Sequence, residues 1–309
     1  MSLSNAAVRD IETVIHPYTN LDSFRETGPM IIERGEGIYV FDNGGNKYIE
    51  GLSGLWCTSL GYNEQELIDA AMEQFRQIPF THTFGGKSHE RAAEAAERLK
   101  AIAPHAASKV LFCGSGSEAN DQQVKLVWYY NNALGRPNKK KIISRQRGYH
   151  GVTVASGSLT GLPANHRDFD LPIAGMLHTD CPHYYRYAEP GETEDEFTTR
   201  LAKNLEDMII REDPDTVAAF IAEPIMGAGG VVIPPAGYFE KIQAVLKKYD
   251  IYFIADEVIC GFGRTGEMFG SQSFNMKPDS ISVAKALSSA YFPIAAVTVG
   301  EEMYQAMID

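Results

Sequence analysis

IYFIADEVICGFGRTG, residues 251–266, opens with an apolar run from Ile251 to Ala255 and passes without a break into two carboxylates, Asp256 and Glu257. A continuous apolar run of that length suits a strand covered by helices on both faces. A carboxylate at its end is costly unless something cationic meets it. The arrangement recurs at Val217 to Ala222, which leads into Glu223-Pro224. Open α/β sheets bind ligands beyond the carboxyl ends of their strands, so both carboxylates fall where a site is expected.

Working outward, further strands are predicted at Val110 to Phe112, Lys141 to Ser144, Gly175 to Thr179, Ser280 to Val283 and Ala295 to Val299, with amphipathic helical stretches between them. The pattern predicts a mostly parallel sheet flanked by helices. Asn63 and Glu66 have the spacing of a capping box. Behind them Leu67, Ile68, Ala71, Phe75 and Ile78 share one helical face, as do Phe239, Ile242, Val245, Leu246 and Tyr249 further on. Both faces read as core. Residues 186–200 are polar and read as exposed. A turn at Asp42-Asn43-Gly44-Gly45 separates Ile38 to Phe41 from Lys47 to Ile49, a hairpin assigned to the N-terminal segment of a small domain at residues 1–55, with a large domain over residues 56–309.

The 309 residues suffice for a large core, and 44% hydrophobic with 22% charged residues is an ordinary globular composition. A formal charge of -12 argues against nucleic acid as a partner. Cys57, Cys113, Cys181 and Cys260 form no C-x-x-C pair, which fits reduced thiols and a cytoplasmic location. The eight histidines form no metal-binding spacing, so no metal is expected. The N-terminus has charges where a signal peptide needs an apolar core, and no run approaches a membrane span.

The residues after each strand carry the chemistry. Val110 to Phe112 leads into Cys113-Gly114-Ser115-Gly116-Ser117-Glu118-Ala119-Asn120 and a helix running to about Leu134. Small residues at a helix N-terminus make a phosphate cradle, or equally a tight turn with a serine cap. Ile142 to Ser144 leads into Arg145-Gln146-Arg147-Gly148-Tyr149-His150-Gly151, where Tyr149 offers a ring on a glycine-flanked loop and His150 alone reads as structural. Ser282-Val283-Ala284-Lys285 brings one lysine to the same rim, among small and apolar neighbours. A lysine, a carboxylate, an aromatic plate and a phosphate cradle together are what pyridoxal phosphate needs: an amine for a Schiff base, an anion that keeps the ring nitrogen protonated, and an anchor.

FCGSGSEAN, GYHG, AEPIMGAGG, IADEVICGFGRTGEMF and AKALSSAYFPIAAV resemble the corresponding segments of the class III aminotransferases, pyridoxal-phosphate enzymes of fold type I. The resemblance implies that Lys285 carries the cofactor and Asp256 pairs with its ring nitrogen. Val258 and Tyr149 would cover the two ring faces, and Ser115, Gly116 and Ser117 would hold the phosphate. Glu223 would lie near the Asp256 side. Gly54 to Cys57 and Pro79 to Phe84 are most similar to the omega-amino acid:pyruvate transaminases, which implies that Trp56 and Phe84 line the substrate pocket, Phe84 from a neighbouring subunit; both also read as core aromatics.

The activity implied is a two-stage transfer from an omega-amino acid or amine to a keto acid, pyruvate above all, in a homodimer or dimer of dimers. An aminomutase of the same fold and a non-catalytic relative remain alternatives. Ala286, Ala290 and Ala295 stand where related sequences commonly have glycine, so any positive φ there would be strained. The chain reaches Asp309 within what reads as a helix. The resemblance implies a C-terminal domain beyond it, with an arginine for the substrate carboxylate and a partner-subunit threonine for the phosphate.

Overall fold

The computed structural model describes residues 3–308, in two compact units, Met1–Pro79 and Phe80–Asp309. The first holds α1 (Asn5–Thr13), α2 (Leu21–Thr27), the antiparallel strands β1 (Ile32–Glu36), β2 (Tyr39–Asp42) and β3 (Lys47–Ile49), then α3 (Ser53–Trp56) and α4 (Gln65–Gln77). The β2–β3 turn is built by Asp42, whose carboxylate accepts from the backbone N–H of Gly44 and of Asn46 at 2.9 Å each, while Gly45 supplies the left-handed residue at φ 82°. These hydrogen bonds, the Asn46 side chain's first, hold the Asp42 carboxyl down at about 2.

Two expectations for α4 fail. Its N-cap is Glu64, without a side-chain cap, and Asn63 sits at φ 63° instead of capping. Its apolar face is not core: no residue of α4 is buried, and Phe75 and Ile78 are exposed. The reason is that Ala7 and Val40 are the only buried apolar residues described in this unit, leaving little core to pack against.

The second unit begins with α5 (Glu90–Ile102) and is organised on a seven-stranded sheet. Its strands are β4 (Ala107–Cys113), β5 (Lys141–Arg145), β6 (Met176–Thr179), β7 (Val217–Ala222), β8 (Tyr252–Asp256), β9 (Ser280–Val283) and β10 (Ala295–Gly300), in the order β4-β10-β9-β8-β7-β5-β6. From β9 to β6 every pairing is parallel, and β10 runs antiparallel to both neighbours. Strand β4 therefore points the same way as β9. The carboxyl ends of six strands, at Cys113, Val283, Asp256, Ala222, Arg145 and Thr179, lie along one rim.

The helices are α6 (Gly116–Ala133), α7 (Val154–Leu159), α8 (Tyr184–Tyr187), α9 (Glu194–Arg211), α10 (Tyr238–Lys248), α11 (Gly270–Ser273) and α12 (Glu301–Ile308); Asp309 lies outside the described residues. Alternation along the strands feeds two cores. Phe220 and Phe253 pack with Phe197, Leu205, Phe239 and Ile242 on the α9–α10 side. Ile221 and Ile254 pack with Ala119, Val124 and Val127 on the α6 side. Residues 186–200 are not all exposed: Thr193 and Glu196 form a capping box, and Phe197 and Thr198 are fully buried. Acidic residues in the first turn favour the helix dipole and disguise an apolar face that starts at Phe197.

Candidate functional site

At the start of α6, the Ser115 hydroxyl accepts from the Glu118 N–H at 3.1 Å, and the Gly114 N–H donates to the Glu118 carboxylate at 2.7 Å. The serine cap and the exposed helix N-terminus are thus the same feature. Gly116 packs against the neighbouring strand ends: a Cβ there would lie 3.0 Å from each γ-methyl of Val258 and 3.6 Å from Cβ of Ala284. The Ser117 hydroxyl accepts from the Val152 N–H at 3.1 Å. Gly151, at φ 136°, comes so close that a Cβ would stand 2.6 Å from Ser117 Oγ and 2.3 Å from Ser156 Oγ. Only glycine lets that loop reach the helix.

Asp256 closes β8 with its side chain 3% exposed. Oδ2 accepts from Asn120 Nδ2 and from His150 Nδ1, each at 2.8 Å, and Oδ1 accepts from the Val258 N–H at 3.1 Å. Asn120 Nδ2 donates also to the His150 carbonyl at 2.7 Å. Glu257, one residue on, is fully buried and turned elsewhere. Its carboxylate accepts from the N–H groups of Gly270 at 2.9 Å and Ser271 at 2.6 Å and from the Ser271 hydroxyl, so it anchors the turn before α11. Burial pushes its carboxyl upward.

Glu223 follows β7 and is 2% exposed. Oε1 accepts from the Tyr149 N–H and Oε2 from the Gly227 N–H, both at 2.9 Å. The cation expected for this carboxylate is replaced by backbone donors. Burial pushes its carboxyl up to about 7, with nearby His150 opposing and Asp256 adding to the rise. The buried Arg145 guanidinium bonds the Glu223 carbonyl at 2.5 Å instead of its carboxylate.

Lys285 is half-buried at φ 47° and opens a short 3-10 turn to Leu287, whose N–H donates to the Ala284 carbonyl at 2.9 Å. Ala290 takes φ 63°, whereas Ala286 and Ala295 stay out of the left-handed region. The strain foreseen for alanine therefore falls on one position. Tyr149 is half-buried on its loop.

Ser115, Gly116, Ser117, Tyr149, Glu223, Asp256, Val258 and Lys285 thus gather on one rim of one sheet. The two aromatic candidates are separate cases. Trp56 is half-buried in the first unit, at φ 63° in a left-handed turn. Phe84, in the second, is 81% exposed beside His82, with ring centroids 6.0 Å apart. Sequence reasoning missed Asn120, Arg145 and the tie between His150 and Asp256. A signal for Asn120 was present, since it lies one helical turn beyond Gly116 and so on the same face of α6.

A family model described as aminotransferase class-III matches residues 23–308. The chain is 60% identical over 94% of its length to gamma aminobutyrate transaminase 1, mitochondrial, of Solanum lycopersicum, and 58% identical over 94% to gamma aminobutyrate transaminase 3, chloroplastic, of the same plant. It spans 56% of the length of each. Among solved structures, the omega transaminase from Pseudomonas jessenii in complex with PMP is 57% identical, with a TM-score of 0.98 over 99% of this chain and 68% of that one. The cytoplasmic location expected from the thiols does not stand, because these curated relatives are named as mitochondrial and chloroplastic proteins.

Proposed function

The chain belongs to the class III aminotransferase family, and from that membership we propose that it serves an aminotransferase moving an amino group from an omega-amino acid or amine to a keto acid, with pyruvate as the acceptor. The observation that carries this reading is the convergence of Lys285, Asp256 and the start of α6 on the carboxyl rim, with Gly116 against both Val258 and the residue preceding Lys285.

Class III aminotransferases use pyridoxal phosphate, and the residues present fit it. Gly116 brings the start of α6 so close to Val258 that a Cβ would lie 3.0 Å from both of its methyl groups, which sets the helix N-terminus beside the residue proposed to cover a ring face. Asp256 is a buried carboxylate whose side-chain partners are an amide and an imidazole. Ser115, Gly116 and Ser117 would hold the phosphate at the helix N-terminus, Asp256 the ring nitrogen, and Val258 and Tyr149 the two ring faces. When bound, the cofactor supplies an electron sink. Lys285 supplies the amine that carries it and then moves a proton to and from the substrate carbon. Burial of Asp256 strengthens each electrostatic contact that its carboxylate makes. Trp56 and Phe84 would bound the substrate, and a homodimer is the assembly proposed.

Loading the full chain with pyridoxal phosphate and screening amine donors, including gamma-aminobutyrate, β-alanine, diamines and arylalkylamines, against pyruvate and 2-oxoglutarate tests the proposal. Amino transfer that stops without a keto acid supports it. Turnover of an amino acid with no acceptor would mark an aminomutase instead, and failure to take up the cofactor would mark a non-catalytic protein.

A further inference from the structure

Resting on that reading, we infer that Asn120 and His150 are positioning residues that saturate one oxygen of Asp256 and aim the other at the ring nitrogen of the cofactor. The two oxygens of Asp256 are unequally engaged. Oδ2 takes two side-chain donors at 2.8 Å, while Oδ1 takes a single backbone N–H at 3.1 Å. A carboxylate oxygen holding two short hydrogen bonds has its lone pairs spent. Oδ1 keeps capacity for a further donor, and the N–H of a pyridinium ring is such a donor.

The donors are themselves fixed. Asn120 Nδ2 bridges Asp256 and the His150 carbonyl, so rotating the amide by half a turn would set its oxygen against two acceptors. That assigns the amide orientation. His150 faces a carboxylate through Nδ1, which places a proton on Nδ1, and its Nε2 has no hydrogen-bond partner among the described residues. Its backbone N–H donates to the Thr160 hydroxyl at 2.9 Å, which in turn donates to the Gly151 carbonyl at 3.0 Å. The loop that bears Tyr149 is thereby tied to the same knot. One amide joins the phosphate-facing helix α6, the end of β8 and the 148–151 loop.

The chemical nature of the donors matters as much as their geometry. The Asn120 amide carries no charge, and among the other polar groups around Asp256 the Glu223 and Glu257 carboxylates are held by backbone N–H groups and the Ser271 hydroxyl. No lysine or arginine pairs with Asp256 among the described residues. Its negative charge is then left for the ring nitrogen, which an arginine in place of Asn120 would divert.

The test uses the full chain loaded with pyridoxal phosphate labelled with 15N in the ring, at one neutral pH, comparing His150→Phe, His150→Asn and Asn120→Ala with the unaltered protein. His150→Phe should move the ring-nitrogen resonance toward the unprotonated position, speed loss of cofactor on dialysis, and lower kcat by about 10- to 100-fold, the scale of one lost hydrogen bond to a charged group. His150→Asn, whose amide can place a donor near the Nδ1 position, should recover most of the protonated signal, and Asn120→Ala should behave like His150→Phe. A purely structural role would lower thermal stability in all three without moving the resonance. If His150→Phe and Asn120→Ala fold, bind the cofactor and keep the unaltered resonance, the inference is overturned. If the unaltered chain binds no cofactor, the functional reading fails first, and the two failures are distinguished.

Discussion

Gly116 and Val258 meet where α6 begins and β8 ends, and a Cβ on Gly116 would stand 3.0 Å from both methyl groups of Val258. Contacts that tight require the neighbour to yield, and overpacking of this kind costs about 1–3 kcal/mol. Gly116→Ala should therefore destabilise the protein by about 1 kcal/mol and weaken cofactor uptake. Val258→Ala alone removes apolar contact, but combined with Gly116→Ala it removes the clash. The double-mutant cycle, read by urea unfolding, should show a favourable coupling of about 1 kcal/mol. Simple additivity would show that the two residues do not press on each other.

Lys285 and Asp256 should separate chemistry from folding. Lys285→Ala is expected to abolish turnover with an unchanged circular dichroism spectrum, and borohydride reduction with peptide mapping should place the cofactor on Lys285. Asp256→Asn replaces an anion by an amide that faces two donors, Asn120 Nδ2 and His150 Nδ1. Its kcat should fall by an amount equivalent to about 3 kcal/mol or more, the scale of a preorganised electrostatic contact. Turnover of Asp256→Asn close to the unaltered rate would remove Asp256 from the site.

What the sequence made legible follows from where its signals are local. Strand β7 lies where the apolar run Val217 to Ala222 placed it, because a strand buried on both faces has no polar residue to blur its ends, and β9 lies where Ser280 to Val283 placed it, its two serines being small enough to be buried with the rest. Asp256 and Lys285 were legible because polar residues directly after such strands need a reason. Glu257 was not separable from Asp256 on paper; only the geometry turns one toward Asn120 and the other toward Ser271. The face of α4 misled because period alone says where apolar side chains point and not whether anything covers them. His150 looked structural because its partner, Asp256, is 106 residues away.

Glu223 gives the protein a pH dependence of defined sign. Its carboxyl is raised from 4.5 to about 7 by burial, so between those values the folded chain binds a proton that the unfolded chain has released. Stability from this group is full below about 4.5 and declines as pH rises toward 7, by up to about 3 kcal/mol. Glu223→Gln has no proton to exchange. The difference in unfolding free energy between the unaltered protein and Glu223→Gln should shift against the unaltered protein from pH 5 to pH 8, as measured by urea unfolding at each pH. A constant difference would show that Glu223 is charged throughout.

Ala290 and Ala295 offer the same substitution with opposite expected signs. Ala290 sits at φ 63° in the loop after Lys285, a conformation that costs a residue with a Cβ about 1–2 kcal/mol. Ala295 lies fully buried in β10, paired with Cys113. Glycine pays more backbone entropy on folding wherever it is placed, about 0.5–1 kcal/mol relative to alanine. At position 290 the relief of strain exceeds that loss, and Ala290→Gly should stabilise by about 0.5 kcal/mol. At position 295 there is no strain to relieve and a packed methyl is lost as well, so Ala295→Gly should destabilise by about 1 kcal/mol or more. Thermal midpoints of the two variants, in the same buffer and with the same cofactor loading, should therefore fall on opposite sides of the unaltered protein. A lower midpoint for Ala290→Gly would mean that the left-handed turn beside Lys285 is not strained, and that alanine is as well suited to it as glycine.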